Sequence, residues 1–258
     1  RGQMFFRICD ILRVKTPQFV LLENVKNLYT HDKGRTYRRI YRELTALGYH
    51  VVTNIFNTAD FHLPQKRNRV LIFATQDRLP AHFQDRFTPE LVKEHFDQIV
   101  GQTSVLHYER PVDLLDEHVD HKYFLSDRIK PTILSNGTAN FRSRSDINQE
   151  IARPLTASMH KMHRACQDNY YSQDYIESHG EVNPVEHMTK EQLARIPIRK
   201  LTPQEAFALQ GFPPEFVMTA HEAGVPDGAL YKQAGNAVSV NTIYAVVQYL
   251  IDAHVIHE

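Results

Sequence analysis

Glu23 stands where an apolar run, residues 19–22, gives out, and Asn24 follows it. In open α/β sheets ligands bind beyond the carboxyl ends of the strands. A carboxylate at such an end can point into a crevice and handle a proton there. It can equally cap the following turn, and the residues alone leave both readings open. A second concentration of polar groups is QKRNR, residues 65–69, directly before another apolar run. Residues two apart on a strand share a face. Arg67 and Arg69 would then form a twin guanidinium surface suited to a phosphate or to the polar edge of a base, or simply a solvated basic turn. A third is Gly235-Asn236, before the last periodic apolar stretch, where Asn236 could cap a helix. His160, His163 and Cys166 recur at three-residue spacing. No fourth ligand accompanies them, so no metal is assigned.

These side chains need elements to place them. Met4, Phe5, Ile8, Ile11 and Leu12 fall near one face and predict a helix over residues 3–12, stopped by Pro17. Residues 18–22 predict a short strand. Tyr37, Ile40, Tyr41, Leu44 and Leu47 repeat at helical spacing up to Gly48, a natural stop. Residues 50–56 and 69–75 read as strands, and strand–helix–strand order with buried strands predicts part of a parallel α/β sheet. From about residue 76 to 199 the chain is polar and rich in His and Tyr, as in an irregular second domain or a large insertion. Thr202-Pro203-Gln204-Glu205 then combines a capping box with Pro at the first helical position. It opens a short helix to about Leu209, and a last helix is expected over residues 238–253.

The chain has 258 residues, 42% of them hydrophobic, enough for one large core or two smaller ones. Thirty Lys and Arg balance thirty Asp and Glu, which excludes a globally basic nucleic-acid binder and leaves room for a local basic patch. Two cysteines, Cys9 and Cys166, argue against a disulfide framework and for a reducing, cytoplasmic setting. No apolar run has the length of a membrane span, and no signal peptide opens the chain. Arg stands first where a natural start would have Met, so a fragment of something longer is expected.

Taken in order, these stretches resemble the DNA (cytosine-5)-methyltransferases. Glu23-Asn24-Val25 is similar to that family's ENV motif, and Gln65 to Arg69 to its Q-x-R-x-R motif. Residues 201–213 resemble its L-T-P-x-E…L-Q-G-F-P motif, and residues 233–238 its closing Q-x-G-N-x-V motif. HKYFLSDRIK, residues 121–130, is similar to the lead-in to its small domain. Family members also carry a Gly-rich cofactor loop and a Pro-Cys nucleophile ahead of the ENV motif. This chain has no G-x-G, and Cys9 and Cys166 follow Ile8 and Ala165, so neither cysteine is assigned as nucleophile. The resemblance therefore implies the C-terminal two-thirds of a methyltransferase. Its expected fold class is α/β, the C-terminal part of a Rossmann-like methyltransferase sheet plus a smaller irregular target-recognition domain. The expected boundaries are 1–110 catalytic, 111–200 recognition and 201–258 catalytic again.

The resemblance implies covalent catalysis. A cysteine thiolate adds to cytosine C6, C5 takes a methyl group from S-adenosyl-L-methionine, and loss of the C5 proton and the cysteine restores the ring. Glu23 would stabilise the charging ring at N3 and the exocyclic amine, Arg69 would reach O2, and Arg67 would position the DNA backbone or neighbouring residues. Asn236 and Ala237 would close the cofactor pocket. The target base must be flipped out of duplex DNA. Recognition is expected from residues 128–168, where basic residues outnumber acidic ones and Arg142, Arg144, Asn140, Asn148 and Gln149 add base-reading groups. Within the preferred stretch, residues 152–171, Arg153, Thr156, Lys161 and Arg164 are the candidate DNA contacts, in a bacterial or phage-type restriction-modification setting. A complementary N-terminal subunit or fragment is a further expected partner. A non-catalytic DNA-binding subunit is the rival reading, and a relative acting on RNA a third.

Overall fold

The computed structural model describes residues 3–137 and 143–257. Its helices are α1 (Gln3–Lys15), α2 (Arg35–Ala46), α3 (Phe83–Arg86), α4 (Pro89–Ile99), α5 (Lys130–Leu134), α6 (Gln173–Glu177), α7 (Lys190–Leu193), α8 (Pro203–Ala208), α9 (Pro214–Glu222), α10 (Asp227–Asn236) and α11 (Val240–Asp252). Its strands are β1 (Phe19–Val25), β2 (His50–Asn57), β3 (Asn68–Thr75), β4 (Tyr170–Ser172) and β5 (Ile198–Lys200). Two compact units result. The first comprises residues 1–61, 68–103 and 242–258, the second residues 62–67 and 104–241.

The first unit is built on a three-stranded sheet in the order β1-β3-β2. The crossover β1–α2–β2 returns in the same direction, as expected, but the two strands do not pair. β3 lies between them and is antiparallel to both, so each ladder in this sheet is antiparallel and the expected parallel pairing is corrected. The central position explains the composition of β3. Residues 70–75 are all buried, and a strand covered on both faces reads as a continuous apolar run. On one face Val20, Val51, Val70 and Ile72 meet Ile40 and Leu44 of α2, which stand one helical turn apart. Gly48 ends that helix at φ +90°, where a side chain would be strained.

The second unit carries little regular structure. β4 and β5 form a two-stranded antiparallel sheet. Around them Val112, Tyr171, Leu201, Phe207, Leu230 and Tyr231 share one apolar core. Residues 201–241 thus pack with the irregular region, and the sheet unit recovers the chain only at residue 242. Packing therefore divides the molecule elsewhere than at the sequence boundaries of 111 and 201, because the short helices α8 and α10 bury their apolar faces here.

The capping box of α8 is present. Thr202 Oγ1 accepts from Glu205 N at 3.2 Å, and Glu205 Oε2 accepts from Thr202 N at 2.7 Å. Asn236 does not cap the last helix. It is the final residue of α10, and extended Ala237 (φ −61°, ψ 155°) separates it from α11. Helices α9 and α10 have no counterpart among the expected elements: each is short, and Pro and Gly interrupt the stretch.

Candidate active site and recognition unit

In the sheet unit, β1 runs on past the apolar residues to Val25, so Glu23 sits within the strand. Val25 is opposite Arg69 and Glu23 opposite Leu71. Residues two apart share a face, which makes Glu23 and Arg69 diagonal cross-strand neighbours. Arg69 Nε lies 2.7 Å from Glu23 Oε1, with the two side chains 17% and 27% exposed. Arg69 Nη1 donates to Asn68 O at 2.9 Å. Burial pushes the Arg69 pKa down and the Glu23 carboxylate holds it up; a guanidinium remains charged at neutral pH. Among the described residues no hydrogen bond engages Glu23 Oε2 or Arg69 Nη2. The pair therefore offers one oriented acceptor and one oriented donor to a polar molecule, which is more than a turn cap does.

Arg67 belongs to the other unit and does another job. It is 1% exposed. Its Nη1 donates to Leu155 O at 3.0 Å, and its Nη2 to Gly235 O at 3.1 Å and Ala237 O at 2.7 Å. The expected twin guanidinium surface is thereby corrected. The alternation rule fails because Arg67 precedes β3, and its guanidinium is spent on the Leu155 carbonyl and on two carbonyls at the end of α10. It joins the Leu155 backbone to that of Gly235 and Ala237. Gln65, which opens the motif but was given no role there, is fully buried, accepts from Leu155 N at 3.1 Å and donates to Leu209 O at 2.9 Å. Gly235 explains itself in the same place: a Cβ there would stand 2.2 Å from the backbone carbon of Thr156. Asn236, exposed, and Ala237 line an open depression of about 460 Å³ with Lys232 and Gln233.

The preferred recognition stretch is held by its own arginines. Arg153 Nη1 donates to Asp146 O at 2.9 Å and Asp168 O at 3.3 Å, and Nη2 to Arg144 O at 3.3 Å. Arg164 donates to Thr156 Oγ1, to Ser158 Oγ at 3.2 Å and to Asp168 Oδ1 at 2.9 Å. Both, expected as DNA contacts, spend donors tying the loop together, and the Thr156 hydroxyl oxygen accepts one of them. Lys161 is exposed. Arg142 and Asn140 lie outside the described residues. Among the described residues no group of three or more His, Cys, Asp or Glu could hold a metal, so His160, His163 and Cys166 are not brought together. Cys9 is fully buried, and burial pushes its thiol pKa up.

Comparison with known proteins places this geometry. The model of the C-5 cytosine-specific DNA methylase family matches residues 1–252. The chain is 33% identical over 259 residues to the type II methyltransferase M1.ScrFI of Lactococcus lactis subsp. cremoris, covering 98% of this chain and 56% of the relative. It is 34% identical over 248 residues to M.NgoBI of Neisseria gonorrhoeae, covering 95% and 64%, and 34% identical over 255 residues to M.HaeII of Haemophilus aegyptius, covering 98% and 67%. This chain thus spans only part of the length of the curated relatives it matches. In fold it is similar to the S. pombe Dnmt2 methyltransferase, with a TM-score of 0.69 at 17% identity over 97% of this chain and 73% of that one. The Entamoeba histolytica methyltransferase EhMeth gives 0.64 at 20% identity, over 92% and 63%. The chain belongs to the C-5 cytosine-specific DNA methylase family.

Proposed function

We propose that the chain is the base-activating and DNA-recognising part of a DNA cytosine-5 methyltransferase of a restriction-modification system, working in the cytoplasm on a flipped-out cytosine. The observation that carries this reading is the Glu23–Arg69 pair, held to 2.7 Å by strand register with Oε2 engaged by no hydrogen bond among the described residues. Thiolate addition to C6 raises the electron density of the ring. Glu23 meets it with a carboxyl group at N3 and the exocyclic amine, by hydrogen bonding or proton donation. Arg69 fixes Glu23 through Nε and has Nη2 left for the base O2. Both groups are preorganised, so little reorganisation opposes the charge as it develops.

S-adenosyl-L-methionine supplies the methyl group when bound. The exposed Asn236 amide and the Ala237 backbone, which Arg67 holds, fit one wall of a pocket for it. In the recognition unit Lys161 would meet duplex DNA, while Arg153, Arg164 and Thr156 keep the loop in shape for it. The buried, less acidic Cys9 is unsuited to attack, so the nucleophile is supplied by a complementary N-terminal segment or subunit. The outer edge of β1 and the exposed Met4, Ile11 and Val14 of α1 offer that segment a place to pack.

Tritium transfer from labelled S-adenosylmethionine to duplex DNA tests the reading. The chain alone should give none, and the chain completed by an N-terminal segment bearing the Pro-Cys loop should methylate. Robust transfer by the chain alone would overturn the assignment of the nucleophile. No transfer after completion, with duplex binding intact, would leave a DNA-binding subunit.

A further inference from the structure

Lys200 is the last residue of β5, and alternation sends its side chain to the opposite face from Arg199. Arg199 goes inward to Glu205. Lys200 pairs across the ladder with Tyr170, at the end of the recognition stretch. It borders a narrow cleft shared with Thr156, His163, Gln167 and Tyr231. Its ammonium lies 5.0 Å from the Tyr231 ring centre and 5.9 Å from that of Tyr123.

The carboxylates nearby are already committed. Asp168 takes Arg164 Nη2 at 2.9 Å and Arg164 N at 3.0 Å. Asp227 takes Lys122 Nζ at 3.0 Å and the Tyr123 hydroxyl at 2.9 Å, and His221 Nε2 lies 3.0 Å from it. Among the described residues Lys200 Nζ has neither a hydrogen bond nor a carboxylate within ion-pair distance. Aromatic faces stabilise a cation but leave all three of its N–H donors unspent. A partly buried ammonium without an acceptor is costly.

We propose that Lys200 is a phosphate anchor of the recognition unit, its ammonium taking a non-bridging oxygen of a DNA backbone phosphodiester laid across the cleft. This deepens the DNA-methylation reading above and rests on it. The cleft decides the kind of group that enters. Its free space of about 20 Å³ admits an oxygen and excludes a nucleobase. Gln167, exposed at the rim, can donate a second hydrogen bond to the same phosphate. Burial pushes the Lys200 pKa down, against the pull of Asp227, so an arriving anion relieves a cation that has no acceptor among the described residues.

The test is a duplex titration by fluorescence anisotropy between 50 and 200 mM salt, with the full chain and its Lys200→Gln and Lys200→Arg variants. One lost phosphate contact should make the plot of log affinity against log salt shallower by about 0.9 in the Gln variant. The weakening should be uniform across duplex sequences, and Arg should restore the slope. A folded Gln variant with the wild-type slope would overturn the anchor alone. Wild-type protein that binds no duplex would overturn both the anchor and the DNA reading beneath it. If the Gln variant does not fold, amine acetylation of wild-type Lys200 decides: slowing by duplex supports the anchor, and an unchanged rate overturns it.

Discussion

Two arginine–glutamate pairs divide the labour of this molecule. Arg199 and Glu205, in the second unit, are 0% and 1% exposed. Arg199 Nη1 and Nη2 donate to Glu205 Oε2 and Oε1 at 2.9 and 2.7 Å, and the same oxygens accept Thr202 N and Asp116 N at 2.7 and 2.9 Å. That carboxylate is saturated. Glu23 and Arg69, in the sheet unit, share a single 2.7 Å contact and remain partly open. Identical chemistry thus builds in one place and is available in the other. The difference lies in how many acceptor sites the fold has filled.

The comparison breaks most visibly at Glu205. Removing one partner of a buried pair leaves an uncompensated charge, so Glu205→Ala should destabilise the chain by about 3–5 kcal/mol. Urea unfolding measures it, and a change below about 1 kcal/mol would mean that the pair is dispensable. Arg67→Met comes next, since it strips charged donors from two buried carbonyls and one half-buried one. The expected loss is about 3 kcal/mol, on the scale of hydrogen bonds to a charged group. Arg69→Met should cost clearly less by the same assay, which would separate two arginines of one motif.

At Glu23 the expectation reverses. Glu23→Gln should alter stability by less than about 1 kcal/mol, yet lower single-turnover methylation in the completed enzyme by roughly a hundredfold. Duplex affinity should hardly move, because it comes mainly from the backbone. Wild-type turnover would reduce Glu23 to a strand-end polar residue. The smallest effect is expected at Asp227. Burial works to raise its pKa, but Lys122, Tyr123 and His221 outweigh this and leave it below the ordinary 3.8. A depressed acid stabilises the fold above its unfolded pKa, and that contribution is lost as pH falls through the folded value. Asp227→Asn should therefore flatten the acid limb of stability below about pH 4, by well under 1 kcal/mol given its exposure. An unchanged acid limb in the variant would show that Asp227 contributes nothing there.

Local patterns located much of this in advance. Ile40 and Leu44 fall one helical turn apart, Thr202 and Glu205 cap one another, and residues 70–75 are apolar without interruption, all by rules that act within a few residues. The Glu23 and Arg69 side chains were likewise conspicuous as polar groups beside apolar strands. Long-range partners were not legible. Gln65 meets Leu155 and Leu209, and Arg67 meets Leu155, Gly235 and Ala237, across separations of up to 170 residues. The antiparallel insertion of β3 between β1 and β2 depends on pairing that periodicity does not encode.

By itself, then, the order of residues determined the helices α1, α2 and α8, the strands β1, β2 and β3 and the motifs beside them, because capping, periodicity and turn chemistry are local free energies. Only the tertiary structure decided that Arg67 clamps backbone carbonyls while Arg69 meets Glu23, that Arg153 and Arg164 hold their own loop, and that Lys200 has no acceptor among the described residues. A guanidinium or ammonium looks alike everywhere in a sequence. Its role depends on which carbonyls and carboxylates the folded chain brings within about 3 Å of it, the reach of a hydrogen bond.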